Sequence, residues 1–329
     1  MTVPARRRLQ VFPFFVGSGR SGTTLVRAVF DSHPDLAIPD EVSFVIRYAR
    51  PHYAFRYGWP RRFDAAACTD LILANTAFRR WGLPRAEVVA TLSEPPARDF
   101  PDAVRRLYAL WASSRGKARY GDKTPMHVLH ITRLARMFPE ARFVHVIRDG
   151  RDVAMSYVDV TWGPSTIDDA AVEWRRRVSA GRRAGRRLGP DRYREIRYEH
   201  LVEDPERVVR EVCGFIELPW DESLLRYHER AGEVISATRF PDAHQRLRLP
   251  PTPGLRDWRR EMDPGDVSRF EAIAGPLLEE LGYGRAATRP TVAGRIAAGA
   301  TVASAFATRT WAAATAGARV LTRQVSGRR

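Results

Sequence analysis

The stretch Gly17-Ser18-Gly19-Arg20-Ser21-Gly22-Thr23-Thr24 constrains this chain more than any other. Val11, Phe12, Phe14, Phe15 and Val16 precede it as an apolar run of strand character, and Leu25, Val26, Val29 and Phe30 follow at helical spacing. The glycines therefore mark a sharp turn from a buried strand into a helix. At such a junction the first backbone N–H groups have no intrahelical partner and the helix dipole adds partial positive charge, so an anion fits there. Arg20 adds a forked cation, and the Thr23 and Thr24 hydroxyls can donate as well. The stretch reads as a phosphate cradle.

Its spacing alone leaves the ligand open. GxxxxG suits a phosphate-binding loop, but Thr23 stands where an NTPase carries lysine. GxGxxG suits a dinucleotide fold, and Asp40 and Glu41 follow about 20 residues later. A nucleoside triphosphate, a dinucleotide and another phosphorylated donor all fit, and a glycine-rich turn without a ligand is the plain alternative.

Charge narrows the partner class. A net charge of +16 over 329 residues draws anions, yet nearly all of it is arginine, with Lys117 and Lys123 the only lysines. No nucleic-acid-binding module or basic–aromatic stripe is present, so nucleic acid is not expected as a partner. The two cysteines, Cys68 and Cys213, match no metal spacing and suit buried packing in a reducing compartment. The first apolar run leads straight into the glycine loop with no small-residue cleavage site, so it reads as strand one of a cytoplasmic protein.

Along the chain, His33-Pro34-Asp35 marks a turn, and Leu36 to Pro39 forms a short extended piece ending at Asp40-Glu41. Residues 42–115 read as mostly helical, with Leu71, Ile72, Phe78 and Trp81 as core positions. Tyr120 to Pro125 is a short strand turning into a helix that carries Ile131, Leu134 and Phe138. Arg142 to Ile147 is a second buried strand, running into Arg148-Asp149-Gly150-Arg151-Asp152 and a helix from near Val153. An Arg-rich helix over 168–188, a strand over 193–198 and helices over 205–216 and 265–281 follow. Strands alternating with helices predict an α/β fold with a parallel sheet between helical layers. From Pro290 the composition turns to Ala, Thr, Gly and Arg, which reads as a disordered or interfacial amphipathic tail.

Arg148 at a strand end and Ser156 about two helical turns into the next helix form a second candidate anion site. The RDGRD turn could also be a solvated loop capped by Asp149. Two anion sites at the ends of parallel strands suggest a ligand phosphorylated at both ends. Together, Phe15 to His33, Lys123-Thr124-Pro125 and Val146 to Ser156 resemble sulfotransferases that use 3′-phosphoadenosine 5′-phosphosulfate (PAPS). The pattern GRSGTTL, Asp31-Ser32-His33-Pro34-Asp35 and Asp40-Glu41 is most similar to the protein-tyrosine sulfotransferase branch, here in a soluble, bacterial-type form. Arg197-Tyr198-Glu199, Trp258 and the run Pro276 to Tyr283 extend the likeness, which covers roughly residues 11–284. Gly19 replaces that branch's proline, and its cysteine framework is missing, so the acceptor is left open.

The resemblance implies a P-loop-NTPase-like sulfotransferase fold, with a domain over 1–287 and a basic tail over 288–329. It implies that Arg20, Ser21, Gly22, Thr23 and Thr24 hold the 5′-phosphosulfate, that Arg148 and Ser156 hold the 3′-phosphate, and that Tyr198 touches the donor. Sulfuryl transfer asks for in-line alignment, neutralisation of the leaving phosphate and a base, with no metal. Lys123 fits the leaving group, since a compact ammonium can follow the bridging oxygen; the alternative is an ordinary surface lysine such as Lys117. Glu41 fits the base, against a structural ion pair with Arg20 or a helix cap. His127 is the alternative base, or packs at a helix start, and Ser236 assists at the sulfuryl group. Expected partners are a small-molecule, glycan or peptide hydroxyl, weak membrane-surface contact through the tail, and a homodimer is compatible. The rival reading is a phosphoryl transferase of kinase or ATPase type, which lacks the loop lysine.

Overall fold

The computed structural model describes residues 9–48, 63–237, 241–252 and 256–286. The expected tail over 288–329 lies outside the described residues. The strands are β1 (Phe12–Gly17), β2 (Leu36–Ala37), β3 (Arg119–Tyr120), β4 (Asp122–Lys123), β5 (Ala141–Ile147) and β6 (Tyr193–Arg197). The helices are α1 (Thr23–Asp31), α2 (Phe44–Tyr48), α3 (Ala65–Leu73), α4 (Thr76–Arg79), α5 (Arg85–Ser93), α6 (Phe100–Ser113) and α7 (Ile131–Met137). They continue as α8 (Gly150–Val158), α9 (Ile167–Leu188), α10 (Tyr198–Glu203), α11 (Pro205–Phe215), α12 (Ala231–Ala237), α13 (Trp258–Glu261) and α14 (Pro264–Glu280). The chain divides into two compact units, residues 1–148 with 180–255, and residues 149–179 with 256–329.

The first unit is built on a four-stranded parallel sheet in the order β4-β1-β5-β6. In β1, Phe12, Phe14 and Val16 enter one hydrophobic core with Phe44, Trp81, Tyr108, Phe138 and Phe143. Phe15, one residue out of step, enters the opposite core with Val26, Phe30, Val144, Val146 and Val209. Side chains alternate across a strand, so a run that is apolar at every position is buried on both faces. That is why Val11 to Val16 lacks polar alternation.

The expected strand over 120–125 is two short pieces in different sheets. β3 pairs with β2 (Leu36↔Arg119, Ala37↔Tyr120), while β4 pairs with β1 (Phe14↔Asp122, Phe15↔Lys123). A 3₁₀ turn over Pro125–His130 separates β4 from α7. Leu71 packs against the core, and Ile72, Phe78 and Trp81 are buried, as expected.

In the second unit the turn after Arg148 is buried rather than solvated. Asp149 caps α8 through the Arg151 N–H at 2.9 Å, so the helix begins at Gly150, three residues before its expected start. Arg151 is fully buried, bonding Asp149 through Nη2 (2.8 Å) and Glu271 through Nη1 (2.7 Å). Its guanidinium lies 3.5 Å from the ring centre of Trp258. Asp152 accepts from the Trp258 N–H at 2.9 Å. No helix among the described residues is long and apolar enough to cross a membrane.

Candidate active site

The loop between β1 and α1 is shaped by two residues in the left-handed region, Arg20 (φ 66°) and Gly22 (φ 85°). Gly22 is the N-cap of α1 and offers no capping side chain. A Cβ at position 22 would lie 2.3 Å from the Tyr198 ring, so both backbone and space require glycine. Ser18 Oγ and Ser21 Oγ are buried here without a hydrogen-bond partner. Buried polar atoms are normally satisfied, so this pair marks a place where a polar ligand completes the structure. A phosphate fits that donor set of hydroxyls and an uncapped helix start.

The chain after α1 is folded back by a set of local ties. Asp31 Oδ1 accepts from the Ile38 N–H at 2.8 Å, and His33 Nδ1 accepts from the Asp35 N–H at 3.0 Å. His33 Nε2 then faces the Pro219 carbonyl at 3.0 Å, and burial first of all lowers its pKa. Lys117 bonds the Leu36 carbonyl at 3.0 Å and is 9% exposed in its side chain, so it is a structural clasp rather than a surface lysine. Buried Arg27 donates to the Ile38 carbonyl (3.1 Å) and pairs with Asp40 at 3.3 Å. Asp40 also takes Arg80 at 2.8 Å. These ties carry the next residue, Glu41, to Lys123.

Lys123 sits on β4 beside Phe15 of β1, with its side chain 1% exposed. Its Nζ bonds Glu41 Oε1 and lies 3.4 Å from Thr24 Oγ1 at the start of α1. The surface-lysine alternative is thereby excluded. Glu41 pairs with Lys123 and remains 43% exposed in its side chain. Beneath them, buried Asp122 accepts from Tyr108 Oη (2.6 Å) and Thr124 Oγ1 (3.2 Å), and its other oxygen meets His127 Nδ1 at 2.8 Å. Burial, followed by the Asp122 charge, raises the Tyr108 pKa well above its ordinary value. Thr124 Oγ1 also accepts from the Val42 N–H at 3.4 Å, linking the lysine strand to the residue after Glu41. His127 is thus buried in the support beneath Lys123.

Tyr198 opens α10 and lies between the glycine loop and Arg148. One side of its ring occupies the space a side chain at 22 would need, and the Arg148 guanidinium lies 4.5 Å from its centre. Ser156 is buried on α8 of the second unit, and Ser236 is exposed on α12. The structure therefore gathers Thr24, Glu41 and Lys123 at one point, and Gly22, Tyr198 and Arg148 at another. His244, in the 3₁₀ segment Pro241–Arg248, was not singled out from the sequence. Burial above all, then the charges of Lys123, Arg20 and Arg27, lowers its pKa to about 4. No spacing rule links it to them; only the folded chain does. Among the described residues no group of three or more His, Cys, Asp or Glu side chains is arranged to hold a metal ion.

Protein-tyrosine sulfotransferase 1 of Danio rerio is 28% identical over 292 residues, covering 84% of this chain and 73% of the relative. The Mus musculus protein of the same name is 29% identical over 292 residues, covering 84% and 70%. Among solved structures, the sulfotransferase domain from the curacin biosynthetic pathway matches with a TM-score of 0.58 at 18% identity, covering 85% of this chain and 100% of that domain. The profile described as "Sulfotransferase family" matches residues 13–222, from β1 through the loop, the Lys123 strand and α11, and with that span the chain belongs to the sulfotransferase family.

Proposed function

We propose that the protein moves a sulfuryl group from PAPS to a hydroxyl acceptor by in-line displacement, releasing adenosine 3′,5′-bisphosphate. The observation that carries this reading is the buried Lys123, held between Thr24 of the loop and Glu41. The donor supplies the activated sulfuryl group; the chain supplies position and charge. Arg20, Ser21, Gly22, Thr23 and Thr24 hold the 5′-phosphosulfate, Arg148 and Ser156 the 3′-phosphate, and Tyr198 lies against the nucleotide. The orphaned hydroxyls of Ser18 and Ser21 support an anion in the loop.

The acceptor oxygen forms a bond to sulfur as the bond from sulfur to the bridging oxygen breaks, its electron pair staying on the 5′-phosphate. Lys123 neutralises that oxygen, and Glu41 takes the acceptor's proton. Ser236 assists at the sulfuryl group. His127 is the second choice of base, and its tie to Asp122 favours a supporting part instead. No metal takes part. The name of the relatives makes a peptide tyrosine one candidate acceptor, beside alcohols, phenols and sugar hydroxyls. Residues 1–287 form the catalytic domain in this reading and 288–329 a basic tail. A cytoplasmic location belongs to the same proposal, supported by two buried, unpaired cysteines.

The test is calorimetric titration with adenosine 3′,5′-bisphosphate and with ATP. The bisphosphate should bind far more tightly, because ATP lacks the 3′-phosphate. Equal or better binding of ATP would favour the rival phosphoryl transferase and overturn the assignment.

A further inference from the structure

The two partners of the Lys123–Glu41 pair are unequal. The ammonium of Lys123 is buried, and a buried charge is costly without an anion beside it. Glu41 has no such need, because its half-exposed carboxylate can be solvated by water. Lys123 also faces two ways, towards Glu41 Oε1 and towards Thr24 Oγ1 at 3.4 Å. Thr24 belongs to the loop assigned to the phosphosulfate. An anion arriving from that side would satisfy the ammonium, and Glu41 could then leave at little cost.

We propose that Glu41 is the stand-in counter-ion of Lys123, displaced when the donor's phosphate enters the Gly17–Thr24 loop, so that the base is released only after the donor has bound. This rests on the function proposed above. The ammonium keeps an anionic partner in both states and is never left bare. While Glu41 holds Lys123, its Oε1 is engaged by the ammonium. Once released, the same carboxylate faces solvent at the place where the acceptor hydroxyl must come. The arrangement imposes an order, donor first and acceptor second. Linkage makes it reciprocal: whatever Glu41 contributes to holding Lys123 is subtracted from the affinity for the donor.

Calorimetric titration with adenosine 3′,5′-bisphosphate tests this in four proteins: wild type, Glu41→Gln, Lys123→Met and the double variant. Lys123→Met keeps most of the buried volume and leaves Glu41 solvated, so folding is preserved. Glu41→Gln should tighten binding by about threefold to tenfold, the scale of one partly exposed ion pair. In the Lys123→Met background the same change should have no effect, because no ammonium remains to be released. Unchanged or weaker binding by Glu41→Gln would overturn the displacement, as would equal tightening in both backgrounds, which would reflect only the removal of negative charge. Measurable binding by the wild type without the lysine-dependent gain would sink this inference alone. Absence of binding in every protein would overturn the donor assignment along with it.

Discussion

Gly22→Ala separates the shape of the loop from its charge, and Gly82→Ala is its control. Both glycines are left-handed, with φ of 85° and 69°, so alanine pays the same backbone penalty at each, about 1–2 kcal/mol. Their surroundings differ. A Cβ at position 82 meets nothing within 4 Å, whereas one at position 22 falls 2.3 Å from Tyr198 Cδ2 and 2.7 Å from Cε2. The ring must then move by about an ångström, and it carries the stacked Arg148 guanidinium with it. Losing that stack adds about 0.5–2 kcal/mol. The expected cost is therefore roughly 1.5–4 kcal/mol for Gly22→Ala and about 1–2 kcal/mol for Gly82→Ala. Thermal denaturation of the two variants reads the difference. Titration with adenosine 3′,5′-bisphosphate should show a loss of about tenfold or more in Gly22→Ala, or ~1.4 kcal/mol, and none in Gly82→Ala. Equal melting temperatures and equal affinities in the two variants would refute the claim that Tyr198 couples the loop to Arg148.

Arg148→Ala should raise the KM for the donor with kcat little changed, whereas Lys123→Ala should lower kcat by about 2–4 kcal/mol of lost charge stabilisation; identical steady-state behaviour would abolish that division of roles. Arg151→Ala leaves Asp149 and Glu271 as buried carboxylates without their shared cation, so denaturant unfolding should show a loss of about 3–5 kcal/mol, and a loss under 1 kcal/mol would contradict the burial. His145 is buried first of all, and Arg182 and Arg197 add to the effect, lowering its pKa from 6.5 to about 3. Its folded pKa is thus depressed, so the neutral ring contributes stability above about pH 6.5 that is lost as pH falls towards 3. Unfolding free energy measured between those limits should fall by up to about 1.4 kcal/mol per pH unit from this group, and His145→Gln should lose that part of the slope.

Much of this was legible because the relevant signals are local. The run Val11 to Val16 is buried on both faces, and a strand with no polar alternation reads as one covered on both sides, as the inner strands of a parallel sheet between helical layers are. The glycine loop is legible because strand, turn and helix start are consecutive, and the uncapped start of α1 follows from Gly22 itself. The division of 119–123 into β3 and β4 was not legible. Two residues of strand on each side of Gly121 carry no period, and their pairing with β2 and β1 is decided by partners some 80 to 110 residues away. The buried character of the RDGRD turn was hidden for a related reason. Charge in sequence reads as exposure, and only Glu271 and Trp258, more than 100 residues on, convert Arg151 into core.

The acidic pair shows where sequence reading stops and geometry begins. Asp40 and Glu41 are adjacent and chemically alike, and no local rule assigns them different work. In the fold Asp40 is 5% exposed and carries Arg27 and Arg80, while the Trp81 indole donates to its carbonyl at 3.0 Å. Those partners fix the backbone, so the next side chain must emerge on the other side, towards β4. There Lys123 waits, itself held by the register Phe15↔Lys123 and supported by Asp122. The motif Asp31-Ser32-His33-Pro34-Asp35 serves the same end, since its bonds to Ile38 and Pro219 reverse the chain after α1. Residues that carry the family likeness thus divide into those that bring the chain back and one, Glu41, that the return delivers. Asp40→Asn should accordingly behave as a structural lesion, lowering stability and displacing Glu41, whereas Glu41→Gln should cost less, about 1 kcal/mol, because it loosens a single ion pair whose carboxylate is half solvated. Unfolding measurements on the two variants would reverse this account if Glu41→Gln proved the more destabilising.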